Sequence, residues 1–540
     1  MIPQNLRKKL FFGGPILTVN ESQPKVEAIG IEGEKIVAVG SLNDVKNILK
    51  KDYDLINLNG LTLLPGFTDC HLHPILYTLY FLFPDLTNVS SLEELKSLLK
   101  ESVKGKNKTE LLIGFNLSEE KFEKPILPTR WDLDDPCPEH PVFILRYDSH
   151  IGIANSKALE LAEIHEGTKI PDGGEFRRDH TGKLNGIITE KAINLILSKV
   201  KFPKAIKIEN AATKAFESFA KKGLTSLHGI LSADRSGEFG DVGAIELPLF
   251  KYLQDKVLQN CYILVNIEKV RKLFKIKKSF FEGEKIDSKF KIGGLKLFLD
   301  GSFGAKTACM FEPFSDAPDM CGFCVIEEEK IYEKMKQAHN KGLQIVVHAI
   351  GDKGNRVAMN LYKRLLEEFP RENHRHRIEH ASMLTSDVLN DMGKYGIIAS
   401  CQPPFINSEY MWLEKRLGKD RCNYTYPFKS IIDADVKLIS GSDCPIEDPS
   451  PILGIHALVT RNDFIPDQCI SIEEAIKTYT INAAYAAFEE NVKGTIEVGK
   501  LADLVILDKN PMDVSKERIK EIQVMETIIR GKSLYRRNTD

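Results

Sequence analysis

The sequence predicts an α/β protein built on a (β/α)8 TIM barrel, with a large insertion after the first barrel strand and a composite β-sandwich domain drawn from both termini. Three observations predict it. Eight short apolar runs of strand length recur between residues 62 and 443, segments of helical periodicity fit between several of them, and both chain ends are β-rich and turn-punctuated. At 540 residues the chain exceeds one ordinary core, so two or three domains are expected, one of them a large barrel.

Residues 1–61 alternate the runs "PILTVN", "VEAIGIEG" and "KIVAVGS", with Gly and Asn at the reversals, which reads as a small antiparallel sheet. The barrel is expected over residues 62–489. Its first strand is "TLLPGFTD", followed by "LTSLHG" (224–229), "CYILVNI" (261–267), "GGLKLFLD" (293–300), "LQIVVHA" (343–349), "HRIEHA" (376–381), "GIIASCQ" (396–402) and "VKLISGSD" (436–443). The run "EEKIYEKMKQAHNKG" supplies a helix before the fifth strand, with glycine at its C-terminal end. Between His73 and Leu224 lie about 150 residues, where a barrel loop plus helix needs a few tens. Residues from about 75 to 200 are therefore an insertion with its own strand in "PVFILRYDSH", expected to cover the barrel mouth, and "ENAATKAFESFAKKG" leads into the second strand. Residues 490–540 return to the β texture of the N-terminus, and the two ends are expected to pair.

Composition excludes several classes. With 74 basic and 76 acidic residues the chain has no global field to steer nucleic acid or anionic lipid. No apolar run reaches the length of a membrane span; "ILYTLYFLF" is short and ends at a proline. The basic start is followed only by Leu10, Phe11 and Phe12 before glycines, too short for a signal-peptide core, so a cytoplasmic protein is expected. Ten scattered cysteines argue against a disulfide framework, and the C-x-x-C of Cys321 and Cys324 reads as chance spacing.

Active sites of such barrels lie at the C-terminal ends of the strands. Placed there are His71 and His73 from the first strand, Lys296 from the fourth, His348 from the fifth, His380 from the sixth and Asp443 from the eighth. Two residues apart on a strand, His71 and His73 project together. Four imidazoles and a carboxylate suit zinc or a similar divalent ion, one or two in number. Lysine is the odd member. Buried near a metal it can lose its proton, react with carbon dioxide and become a carbamate that bridges two ions; the alternatives are an unmodified lysine beside one metal and a structural lysine paired with Asp300.

The motifs "PGFTDCHLHP", "KLFLDGSFGAKTA", "VVHAIGDKGN", "RIEHA", "GSDCPIEDPSP" and "GTIEVGKLADLVILDKNP" resemble the amidohydrolase superfamily, in its long-insert branch that includes N-substituted formamide deformylases. The resemblance spans nearly the whole chain. It implies that His71, His73, His348 and His380 are metal ligands, Lys296 the carboxylated bridge, and Asp443 a ligand that also acts as general base. It also implies that the two β-rich ends form one domain. The insertion departs from the branch pattern at "LLIGFNLSEEKFEK", where Phe115 and Phe122 stand in place of tryptophans, so substrate identity does not transfer.

Substrate-holding candidates are weaker. Asp148 and His150 share one face of an insertion strand, Phe115 belongs to the same insertion, and His228 ends the second strand; internal structural roles fit these residue types as well. The expected activity is hydrolysis of an amide-like C–N bond, of N-acyl or N-formyl amine type, by metal-activated water, with Asp443 as base and then acid. Alternatives are ester, lactone or phosphoester hydrolysis, deamination of heteroaromatic rings, and a barrel that has lost catalysis. The ring deaminases carry a glutamate three residues after the fifth-strand histidine, where this chain has Gly351. A small-molecule substrate is the expected partner, with neither nucleic acid nor membrane, and a homo-oligomer is compatible with the sequence.

Overall fold

Eight parallel strands, in chain order around one sheet, form the barrel of the computed structural model, which describes residues 8–147, 150–171, 173–200, 204–235, 243–280, 288–324 and 327–538. They are Phe67–Leu72, Leu224–Ser232, Asn260–Asn266, Phe290–Phe298, Gln344–Ala349, Arg377–His380, Ile398–Cys401 and Leu438–Ser440. The first three and the fifth to eighth are buried at every position, which is why their sequences run apolar instead of alternating: side chains of one face fill the barrel and those of the other meet the helices. The helix Ala205–Lys221 shows the outer layer, burying Ile208, Ala212, Ala215, Phe216 and Phe219 at three- and four-residue spacing. Burying each large apolar side chain contributes about 1.5–3 kcal/mol.

The barrel closes with little ladder. Its eighth strand meets the first through a single parallel bridge between Leu72 and Cys444, flanked by two hydrogen bonds: His73 N donates to Cys444 O at 2.7 Å, and Asp443 N to His71 O at 2.7 Å. The seam therefore joins two of the segments that carry candidate ligands.

A second sheet of eight strands combines both chain ends, in the order Lys532–Arg536, Val524–Ile529, Leu504–Leu507, Thr62–Pro65, Lys8–Leu17, Lys25–Glu32 and Lys35–Gly40, with Tyr53–Asn57 also paired to Lys8–Leu17. The run expected to be one barrel strand, "TLLPGFTD", is thus divided. Thr62–Pro65 pairs antiparallel with Leu504–Leu507 in the terminal sheet, and the barrel starts only at Phe67. Gly66 makes the crossing: a Cβ there would lie 2.2 Å from Thr225 Cγ2, so the backbone passes the second strand only without a side chain.

The insertion carries a five-stranded sheet in the order Gly174–Arg178, Leu184–Glu190, Ile151–Ala154, Val142–Arg146 and Leu112–Leu117. One of its apolar cores includes Leu76 and Tyr80 from the helix Pro74–Tyr80, which springs directly from the first barrel strand. The expected strand "PVFILRYDSH" ends at Arg146, where Tyr147 enters a turn, so His150 lies outside that strand, one residue before the strand Ile151–Ala154. Asp148 itself lies outside the described residues. Cys324 is disulfide-bonded to Cys309, while Cys321 is free and exposed. Among the described residues no helix is long and apolar enough to cross a membrane.

Candidate metal centre

At the end of the first strand, Asp69 ties the barrel seam: its carboxylate accepts from His71 N at 3.0 Å, from Ser442 N at 3.1 Å and from Ser442 Oγ. Burial pushes this carboxyl up to about 6 against those hydrogen bonds. The next residue after Ser442 is Asp443. Its Oδ1 lies 3.3 Å from His71 Nε2 and 3.2 Å from His73 Nε2, and one donor atom from each of the three residues falls within 4.8 Å of the others. Asp443 has φ of 59° and His380 of 68°, left-handed backbone that non-glycine residues adopt at a cost of about 1–3 kcal/mol. Two candidate ligands are therefore aimed by unfavourable backbone that the surrounding packing holds in place.

The imidazoles are oriented from behind. Glu379, one residue before His380, takes the Nδ1 hydrogen of His71, so the Nε2 side is the one presented to Asp443. The same Glu379 Oε2 accepts from Ser400 Oγ at 2.9 Å, and Oε1 lies 2.9 Å from Arg377 Nε, with Glu379 and Arg377 both fully buried. Burial would raise this carboxyl, but Arg377 and His71 outweigh it and hold it at about 2. His348 Nε2 lies 3.2 Å from the Gly301 carbonyl, a hydrogen bond that leaves Nδ1 as its free lone-pair side. Asp300, also 3.4 Å from His348 Nε2, accepts from the backbone N–H groups of Cys309, Ile350 and Gly351, and burial raises it to about 7.

His380 sits between these residues, its ring centroid 4.8 Å from that of His71 and 4.3 Å from that of His348. Among the described residues its buried Nδ1 has no hydrogen-bond partner. Burial, with neighbouring positive groups adding, drives His348 and His380 well below the ordinary histidine value, so both present neutral lone pairs. At His71, burial and Lys296 act downward, but Glu379 and Asp443 prevail and the net shift is upward. Lys296 is fully buried in the same region, its Nζ 4.8 Å from the Phe298 ring centroid, and its charge acts on His71, His348 and His380. Neutral imidazoles, an ionised carboxylate and an orphaned ring nitrogen make a donor set that fits a divalent cation.

The structure thus brings His71, His73, Lys296, His348, His380 and Asp443 to one mouth. His150 joins them on the wall of the adjoining cavity, its Nδ1 3.0 Å from Glu190 Oε2. Two substrate candidates lie elsewhere. Phe115 stacks on Tyr80 with centroids 3.8 Å apart inside the insertion core, one layer behind the cavity wall, because its strand faces the apolar cluster of the insertion. His228 is buried in the barrel interior, where its Nδ1 accepts from Arg377 Nη1 at 3.1 Å; burial and that guanidinium keep it neutral. Glu379 and Arg377 were missed in the sequence, although an acid and a base two residues apart in a four-residue buried strand are a signal in themselves. The cavity-lining Tyr147, Glu409 and Tyr426 carried no such signal.

Comparison with known proteins agrees with this geometry. Residues 54–535 match the model of the amidohydrolase family Amidohydro_3. The Bacillus subtilis protein YtcJ is 31% identical over 98% of this chain and 100% of its own length. The N-substituted formamide deformylase of Arthrobacter pascens is 24% identical over 98% of this chain and 99% of its own. Among solved structures, an uncharacterized metal-dependent hydrolase from Pyrococcus horikoshii superposes with a TM-score of 0.75 at 29% identity, covering 94% of this chain and 99% of that one.

Proposed function

The chain belongs to the amidohydrolase family, and from that premise we propose that it hydrolyses a C–N bond of an amide-like small molecule, of N-acyl or N-formyl amine type. The observation that carries the reading is the position of Asp443, whose Oδ1 lies within 3.3 Å of both His71 and His73, with the neutral imidazoles of His348 and His380 lining the same cavity. His71, His73, His348, His380 and Asp443 would hold one or two divalent ions, zinc first among them. A carbamate on Lys296 would supply two further oxygens. When bound, the metal lowers the pKa of water and polarises the substrate carbonyl.

The chain's own residues do the rest. Asp443 takes the proton from the attacking water and passes it to the departing nitrogen, base becoming acid. Glu379 holds the His71 ring so that its Nε2 stays on the reacting side. The insertion lies over the mouth and keeps bulk water from the cavity, with His150 fixed by Glu190 at its wall. The relatives' family and the deformylase similarity support a C–N bond; the same water would also attack esters and lactones.

The test is metal analysis of protein purified without chelator, together with turnover of a panel of N-acyl amines, N-formyl amines and esters. Zinc with amide turnover that a chelator abolishes is the expected result. A metal-loaded protein that turns over esters and no amide would replace the C–N assignment.

A further inference from the structure

Beyond the candidate ligands, the cavity runs along the helix Phe405–Leu417, whose Phe405 and Glu409 are four residues apart and face the cavity together. Glu409 is 8% exposed, and its Oε2 accepts from Tyr426 Oη at 2.6 Å. Tyr426 is 1% exposed and lines the same wall, as does Tyr147. Outside the candidate ligands, the polar side chains lining the cavity among the described residues are Ser302, His150, Glu409 and the two tyrosine hydroxyls. None of the described lining residues is lysine or arginine. The wall is thus aromatic with one carboxylate built into it.

Glu447, which follows the lining residue Ile446, is pushed up to about 8 by burial against a hydrogen bond from Ser408, and is therefore mostly protonated at neutral pH. The Glu409 carboxylate attracts a cationic group that enters the cavity. Aromatic faces beside it attract the same kind of group.

We propose that Glu409 is a specificity-determining residue that receives a protonated amino group of the substrate, so that the preferred substrate is an acyl amine bearing a second, cationic nitrogen. The ammonium sits against the Glu409 carboxylate and the rings of Phe405 and Tyr426, while the amide lies at the metal centre. Tyr426 holds the carboxylate in place. This rests on the amide-hydrolysis reading for the reaction, but not for the recognition.

The test uses an isosteric pair, monoacetylated diaminobutane and N-pentylacetamide, which differ by an ammonium in place of a methyl. Both are titrated calorimetrically into metal-loaded protein carrying Asp443→Asn, and both are assayed for hydrolysis by the wild type. The ammonium compound is expected to bind about 10-fold or more tightly, the scale of one charge-assisted hydrogen bond. Glu409→Gln, which keeps an acceptor for Tyr426, should remove that preference, and Glu409→Asp should restore part of it. Equal or tighter binding of the neutral isostere, or a preference that survives in Glu409→Gln, overturns the proposal. A Glu409-dependent preference with no hydrolysis of either amide by the wild type would sustain the recognition and refute the amide reaction.

Discussion

The carboxylate of Glu379 takes the Nδ1 hydrogen of His71 while the Nε2 of the same ring lies 3.3 Å from Asp443 Oδ1. One imidazole therefore links a buried acid that never meets solvent to the acid at the reacting side. Glu379 is in turn paired with Arg377, so the orientation of a candidate ligand depends on a charge pair inside the barrel.

Glu379→Gln should lower metal affinity by about 10–100-fold, the usual scale for loss of a partner behind a ligand. The amide can still accept one hydrogen bond but no longer balances Arg377. Competition against a graded series of chelators measures the change. Wild-type affinity in Glu379→Gln would show that packing alone orients His71.

Asp443→Asn keeps the shape and one carbonyl oxygen but cannot take a proton. We expect kcat to fall by about 100-fold or more, with amides of poor leaving amines losing more than activated esters, because only the amine needs the proton returned. Equal losses for both substrate types would mean that Asp443 serves only to hold the metal.

His150→Ala should change KM or substrate selectivity with metal content intact, since the imidazole lines the cavity on a separate element from the ligand strands. Phe115→Ala should behave differently. Buried against Tyr80, it is expected to cost about 3–5 kcal/mol of stability through the void it leaves, read as a lowered denaturation midpoint. A Phe115→Ala protein of unchanged stability would contradict its placement in the insertion core.

A cluster of His339, His374 and His376 lies where the fifth and sixth strands begin, joined by the hydrogen bond between His339 Nδ1 and His376 Nε2 at 2.9 Å. Burial lowers all three, His374 to about 4. Between that value and the unfolded value of about 6.5 the unfolded chain binds more protons at His374, so its contribution to stability is present above 6.5 and is lost as pH falls towards 4. The stability advantage of the wild type over His374→Asn should therefore shrink on acidification across that window. Denaturant titrations of both proteins at several pH values measure it, and an advantage that widens would reverse the sign.

The barrel and its ligand set were legible because parallel strands buried on both faces leave unbroken apolar runs, and each ligand interrupts such a run at its C-terminal end: His348 after "QIVV", Asp443 after "LISGS". Glu379 escaped notice because it precedes His380 and reads as part of the same polar strand end; only the closed barrel shows that it points inward to His71. The division of "TLLPGFTD" was illegible for a related reason. Thr62–Pro65 and Phe67–Leu72 are both buried and apolar, and what separates them is a crossing at Gly66 that depends on Thr225 in another strand. Phe115 and His228 lie off the cavity wall, which the sequence left open between substrate-holding and structural roles, because residue type carries no information about which of two packed faces a side chain takes.

That crossing also bears on how the molecule is made. Leu63 finds its partner Ile506 only after the long stretch of chain between them has left the ribosome, yet Phe67, four residues on, opens the first strand of the barrel. During synthesis the barrel can assemble while Thr62–Pro65 still presents an unpaired apolar edge on one side. Such an edge on a nascent chain is a site for wrong pairing with a neighbour. Until Leu504–Leu507 arrives the terminal sheet stays incomplete, and any delay in that pairing leaves the barrel built while the edge beside it is open.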